Sequence, residues 1–82
     1  DEHIEQREMK LRSMVIAADS PLAGKTLSQS GIREHYGCMA VGIEMGEGSL
    51  AAIAPSRPFS PGDVVWVVGE ESALRTLPDL QR

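Results

Sequence analysis

The chain is poor in cysteine and in large aromatic residues: Cys38 is its one thiol, and Tyr36, Phe59 and Trp66 are its only tyrosine, phenylalanine and tryptophan. A lone cysteine closes no internal disulfide, and no histidine or cysteine pair has zinc-ligand spacing, so no cross-link or structural metal is expected. Long apolar runs are missing too. The longest, VVWVV at 64–68, falls far short of the ~20 residues that span a bilayer. Basic residues are few and scattered, eight against twelve acidic ones with a net charge of −4, which leaves no Lys/Arg stripe to meet phosphates and excludes nucleic-acid binding.

What is present describes one small globular domain: 82 residues, 41% apolar and 24% charged. A chain this short buries only about 60–65% of the surface it exposes when unfolded, so self-association is the expected supplement to its stability. The opening DEHIEQREMK has no initiating methionine and no signal-peptide pattern. It reads as a cut into a longer polypeptide, with residues 1–10 a charged linker or an arm ordered by a partner.

From Met9 to Ala18 alternating apolar residues predict a strand, stopped by Asp19-Ser20-Pro21. Thr26 followed by Gln29 is a capping-box signature for a short helix from Leu27, interrupted at Ser30-Gly31. Ile32 to Tyr36 form a further helical turn that Gly37 caps in the left-handed region. CMAVGIEM, 38–45, is apolar on both faces as a central strand is. Gly46 to Ser49 make a hairpin, Leu50 to Ala54 return as a strand, and Ser60-Pro61-Gly62-Asp63 is a type II turn into a strand over Val64–Val68. Glu70-Glu71 open a helix that frays before Pro78. The order is β-α-β-β-β-α, an α+β fold, with any parallel pairing expected between the two strands that flank the first helix.

Several patterns invite chemistry. Gly24-Lys25-Thr26 resembles the tail of a phosphate loop, but the glycine required five positions earlier is Asp19, whose carboxylate would repel phosphate. His35 and Cys38 suggest a Cys-His nucleophile of a small hydrolase, against which stands the apolar strand that receives Cys38. Glu70-Glu71 cannot form a carboxylate dyad, because adjacent helix residues do not face each other. Arg33 carries a guanidinium fork suited to phosphate or carboxylate, with a surface ion pair to Glu34 or Glu44 as the competing role.

The stretches SPLAGKTLSQSGIREHYGCMAVGI and PSRPFSPGDVVWVVGEESALRTL, with S-x-L-x-G-K-T-L, I-R-x-x-Y-G, and P-G-D followed by V-x-V-V-G, resemble the TrkA-C type of regulatory domain. That family serves potassium-conductance regulators, potassium uptake and monovalent cation/proton antiporters. The likeness assigns residues 11–82 to a TrkA-C-like regulatory domain. It implies a non-enzymatic cytoplasmic homodimer joined to a membrane transport domain of the inner or plasma membrane, in the same polypeptide, with no membrane insertion of this segment. In relatives that bind cyclic di-AMP the ligand sits in the cleft between protomers. The matching positions here are Arg33, Met39, Ala40 and Pro55, with His35 at the rim and Met39 where those binders commonly have asparagine. The resemblance implies no catalytic residue, no metal and no cofactor beyond cyclic di-AMP as a regulatory ligand. The alternative is a structural dimerisation module with no small ligand.

Overall fold

A computed structural model describes residues 8–81. Four strands, β1 (Met9–Val15), β2 (Met39–Met45), β3 (Ser49–Ala51) and β4 (Val64–Glu70), combine with two single-turn helices, α1 (Leu27–Ser30) and α2 (Glu71–Leu74). Short 3₁₀ turns at Gly46–Gly48 and Pro78–Gln81 complete the chain order, which is the β-α-β-β-β-α succession expected. The arm expected over residues 1–10 lies mostly outside the described residues, and Met9 and Lys10 are already part of β1. Among the described residues no helix is long and apolar enough to cross a membrane.

The sheet runs β1-β4-β2-β3, and every neighbouring pair is antiparallel. β1 and β2, the strands on either side of α1, do point the same way, yet they do not pair. β4 lies between them, so the one place where a parallel pair was open holds none. The physical reason is in its composition: VVWVV is apolar on both faces and contains no proline, so it suits a position with a hydrogen-bonded neighbour on each side. Val65 and Val67 are completely buried there.

Several elements are shorter or longer than the sequence suggests. β1 ends at Val15 because the Ile16 amide and carbonyl bond to Asp63 and Gly62 instead of to a strand. β3 stops at Ala51, β4 runs on to Glu70, and α2 covers only one turn. Its continuation past Leu74 is a pair of tight turns, because proline at 78 disfavours helix in the residue before it.

One face of the sheet carries the core. Met14 from β1, Ile16 just after it, Ile43 from β2, and Val65 and Val67 from β4 pack under Leu22, Ile32, Phe59, Leu74 and Leu77. The opposite face has no covering layer. Cross-strand register places Leu11, Val68 and Met39 in one row of that face and Ser13, Trp66 and Gly42 in the next. Leu11, Val15, Met39 and Leu50 are each about half exposed, at 52%, 56%, 55% and 54%. The double apolar pattern of β2 is therefore real, but only one of its faces is buried.

A buried carboxylate locks the C-terminal turn to the rest of the domain. Asp79 accepts a 2.8 Å hydrogen bond from Ser20 Oγ and a 3.3 Å bond from the Ala17 amide, while Ser20 Oγ accepts from the Leu22 amide at 3.0 Å. Replacing Asp79 strands the Ser20 hydroxyl and the Ala17 amide without their acceptor. Asp79→Ala is expected to lower unfolding stability by about 1–3 kcal/mol, the usual result of leaving buried polar groups unsatisfied. Urea unfolding followed by circular dichroism checks this, and a midpoint unchanged from wild type would show that the lock carries no stability.

Candidate functional site

The segment between α1 and β2 is shaped by short-range signals. Thr26 caps α1 with both halves of a capping box: its Oγ1 accepts from the Gln29 amide, and Gln29 Oε1 accepts from the Thr26 amide. Gly31 then ends the helix in the left-handed region at φ 71°, where the His35 ring lies directly against it; a side chain at Gly31 would collide with that ring. The His35 amide bonds to the Gly31 carbonyl, and Gly37, also left-handed, closes the turn on Arg33. The Cys38 amide bonds to the Ile32 carbonyl at 3.0 Å and launches β2.

This turn forms one wall of a cavity of about 330 Å³. Its floor is apolar and buried or half-buried: Leu27, Ile32, Cys38 and Ala40. Its rim is exposed and consists of Ser28, Arg33, Glu34, Met39 and Pro55. Arg33, Met39, Ala40 and Pro55 thus meet at one place, although Pro55 is far from the others in sequence. His35 is not among the lining residues, because the turn carries its ring back over Gly31.

Arg33 makes no ion pair or side-chain hydrogen bond with any described residue. Of the two carboxylates that competed for it, Glu44 instead accepts a 3.0 Å hydrogen bond from Trp66 Nε1, and Glu34 stands beside Arg33 on the rim without pairing to it. An exposed guanidinium over an apolar floor is chemically suited to an anion with a flat apolar body. Leu27, Ser28, Ile32, Glu34 and Cys38 were not foreseen as lining residues. The signal was available for two of them, since the capping box at Thr26 places Leu27 and Ser28 in the first turn of α1.

The remaining candidates have structural roles. The Gly24 amide donates to the Phe59 carbonyl, the Lys25 amide to Leu22 and the Thr26 amide to Gln29, so the backbone donors of a phosphate cradle are already used. The Cys38 thiol donates to the Tyr36 carbonyl at 3.4 Å, and burial pushes its pKa up, away from the thiolate. No group of three or more metal-ligating side chains occurs among the described residues.

Pro55 is held over the cavity by an ion pair at the base of its loop. Arg57 clasps Asp63 with both terminal nitrogens, at 2.9 and 3.2 Å, and Asp63 also accepts from the Ser60 amide at 2.7 Å. Burial pushes the Asp63 carboxyl up, but the Arg57 hydrogen bonds, the Ser60 amide and the Arg57 charge outweigh it and hold the group below the ordinary carboxylate range.

A small α+β domain with a ligand-sized cavity at the head of β2 defines a class, and comparisons identify the family. The TrkA-C domain model matches residues 11–81, and the chain belongs to that family. It is 35% identical over 75 residues to "Probable potassium channel protein 2" of Methanocaldococcus jannaschii, an alignment that covers 92% of this chain and 22% of that protein. The chain therefore spans about a fifth of its relative's length. Among solved structures it resembles the GsuK RCK domain, with a TM-score of 0.64, 21% identity, and 83% of this chain and 15% of that one covered. It also resembles the RCK_C domain dimer of S. agalactiae BusR in complex with c-di-AMP, with a TM-score of 0.64, 25% identity, and 78% of this chain and 84% of that one covered.

The Arg57–Asp63 clasp predicts a pH dependence with a definite sign. A carboxyl whose folded pKa is depressed contributes stability above its unfolded value, ~3.9, that disappears as pH falls through the folded value. Wild type is expected to lose stability below about pH 4, and Asp63→Asn to be less stable at pH 7 with a flatter acid dependence. Urea midpoints between pH 7 and 3 measure this; parallel profiles for the two proteins would remove Asp63 from the account.

Proposed function

We propose that this chain is the regulatory domain of a potassium or sodium transport protein, working as a homodimer that couples occupancy of the Arg33 cavity to transport. The carrying observation is an arginine with no ion pair among the described residues, at the rim of a cavity of about 330 Å³ with an apolar floor. Family membership and the potassium channel relative support the association with potassium transport, and the cation/proton antiporters of the same family are the first kind of host to test. In this reading the domain performs no catalytic step, needs no cofactor and acts on the cytoplasmic side of a membrane domain in the same polypeptide.

Cyclic di-AMP is the first ligand to test, because the BusR RCK_C dimer is a structure in complex with it. Its two-fold symmetry matches a two-fold cleft: each protomer's cavity takes one adenine on the Leu27, Ile32 and Ala40 floor, and each Arg33 meets one phosphate. A ligand acts on transport only through its different affinities for two arrangements of the dimer. A second reading, a dimerisation module without a ligand, is favoured by one residue: Met39 stands at the rim where an amide side chain would reach a nucleotide.

Calorimetric titration of the chain with cyclic di-AMP separates the two. The expected result is saturation at one nucleotide per dimer, with Arg33→Ala weakening it about tenfold or more, as befits a hydrogen bond to a charged group worth ~1.5–3 kcal/mol. Absence of both heat and thermal stabilisation would leave the dimerisation module.

A further inference from the structure

Where α2 packs against β1 there is a second cavity, of about 320 Å³, lined by Arg12, Glu71, Leu74, Arg75 and Leu80. It shares no lining residue with the Arg33 cavity. We infer that it is a binding site for a phosphate group carried as a monoester. The inference stands apart from the ligand proposed for Arg33.

The cations of this site are scattered in the sequence, and the fold collects them. Lys10 and Arg12 lie opposite Gly69 and Val67 in the β1–β4 ladder, both of which are buried on the core side of the sheet. α2 follows β4 without a loop and brings Glu71 and Arg75 to the same edge. Lys10 Nζ and Arg12 Nη2 lie 3.9 and 3.2 Å from Glu71 Oε1, and Arg75 Nε lies 3.5 Å from Glu71 Oε2. Three cations thus share one carboxylate. Glu70 adds no second one here, because strand alternation places it with Trp66 and Val68 on the open face. Asp79, beside Leu80 in the sequence, turns inward to Ser20 Oγ and the Ala17 amide.

Three positive charges against one negative leave a local surplus of two, in a domain whose net charge is −4. A phosphomonoester carries about −1.5 to −2 at pH 7 and presents three acceptor oxygens, which matches that surplus. A carboxylate or a phosphodiester, with one charge, leaves half of it unmet. Donors are available as well. Arg75 commits only Nε, so its terminal nitrogens have no partner among the described residues, and Lys10 stands beyond hydrogen-bond length from Glu71. A free guanidinium fork is the group that holds phosphate bidentately. The cavity is at the small end of the ~300–1,000 Å³ range of ligand pockets, larger than a bare phosphate needs, and Leu74 and Leu80 offer apolar surface to the carbon side of an ester. Glu71 holds the three cations together and competes with the anion for them.

That competition gives the test a signature that a merely structural ion-pair network lacks. The chain is titrated with inorganic phosphate at constant ionic strength and followed by nitrogen-15 NMR. Saturable shifts are expected at the Arg12 and Arg75 side chains and along α2. Arg75→Ala, at an exposed position, is expected to weaken binding about tenfold, and Glu71→Gln to tighten it about fivefold by removing the competing charge. Arg33→Ala is expected to leave both shifts and affinity unchanged. Shifts that do not saturate or that chloride reproduces, a Glu71→Gln variant that binds no more tightly, or binding lost in Arg33→Ala each overturn the site; the last would put the anion in the other cavity without touching the function proposed for it. Glycerol 3-phosphate in solution and phosphatidylcholine vesicles with and without phosphatidic acid then distinguish a soluble ester from a lipid headgroup. Arg75-dependent binding of either one supports the site, and binding of neither overturns the monoester assignment.

Discussion

The placement of β4 between β1 and β2 is the constraint on which the domain depends. Val65 and Val67 are its completely buried side chains, and every interior hydrogen-bonded ladder of the sheet except the β2–β3 hairpin involves β4. Because β4 fills the space between the two strands joined through α1, the connection must cross one face of the sheet. Ile16, Leu22 and Ile32 pack there with Phe59 into the core. That crossing delivers the α1 turn to the head of β2, where the cavity forms. The same strand turns Trp66 and Val68 outward and makes the other face apolar.

β2 connects the cavity to the open face of the sheet. Its first residues, Met39 and Ala40, belong to the cavity, and the β-bulge between Ala40 and Gly42 re-registers the strand before Ile43 enters the core. A bulge changes the local twist and the direction of side chains around it. In this position it allows one strand to line the cavity at its head and the core further along. A change at the cavity that shifts β2 therefore reaches the open face without any intermediate element.

Features whose causes lie within a few residues were legible in the sequence. The capping box at Thr26 and Gln29, the left-handed Gly37 and the Pro61-Gly62 turn each follow from local backbone chemistry, and each occurs where expected. Features set by distant partners were not. Nothing near Val64 announces that its strand will separate β1 from β2, and nothing near Asp79 announces Ser20 as its hydrogen-bond donor. The cavity shows both cases. Arg33, Met39 and Ala40 lie on one turn and its outgoing strand, whereas Pro55 arrives through the Arg57–Asp63 clasp. His35, although only two positions from Arg33, is drawn away by its contact with Gly31.

The central claim is that occupancy of the cavity and association of two copies are one coupled equilibrium. Its most direct test is the dimer dissociation constant measured by sedimentation with and without saturating cyclic di-AMP. Because one nucleotide is proposed to bridge both protomers, ligand must tighten the dimer, and by reciprocity the dimer must bind ligand more tightly than the monomer. A lower dissociation constant in the presence of ligand is the predicted result. Saturable binding that leaves the dissociation constant unchanged would contradict the account.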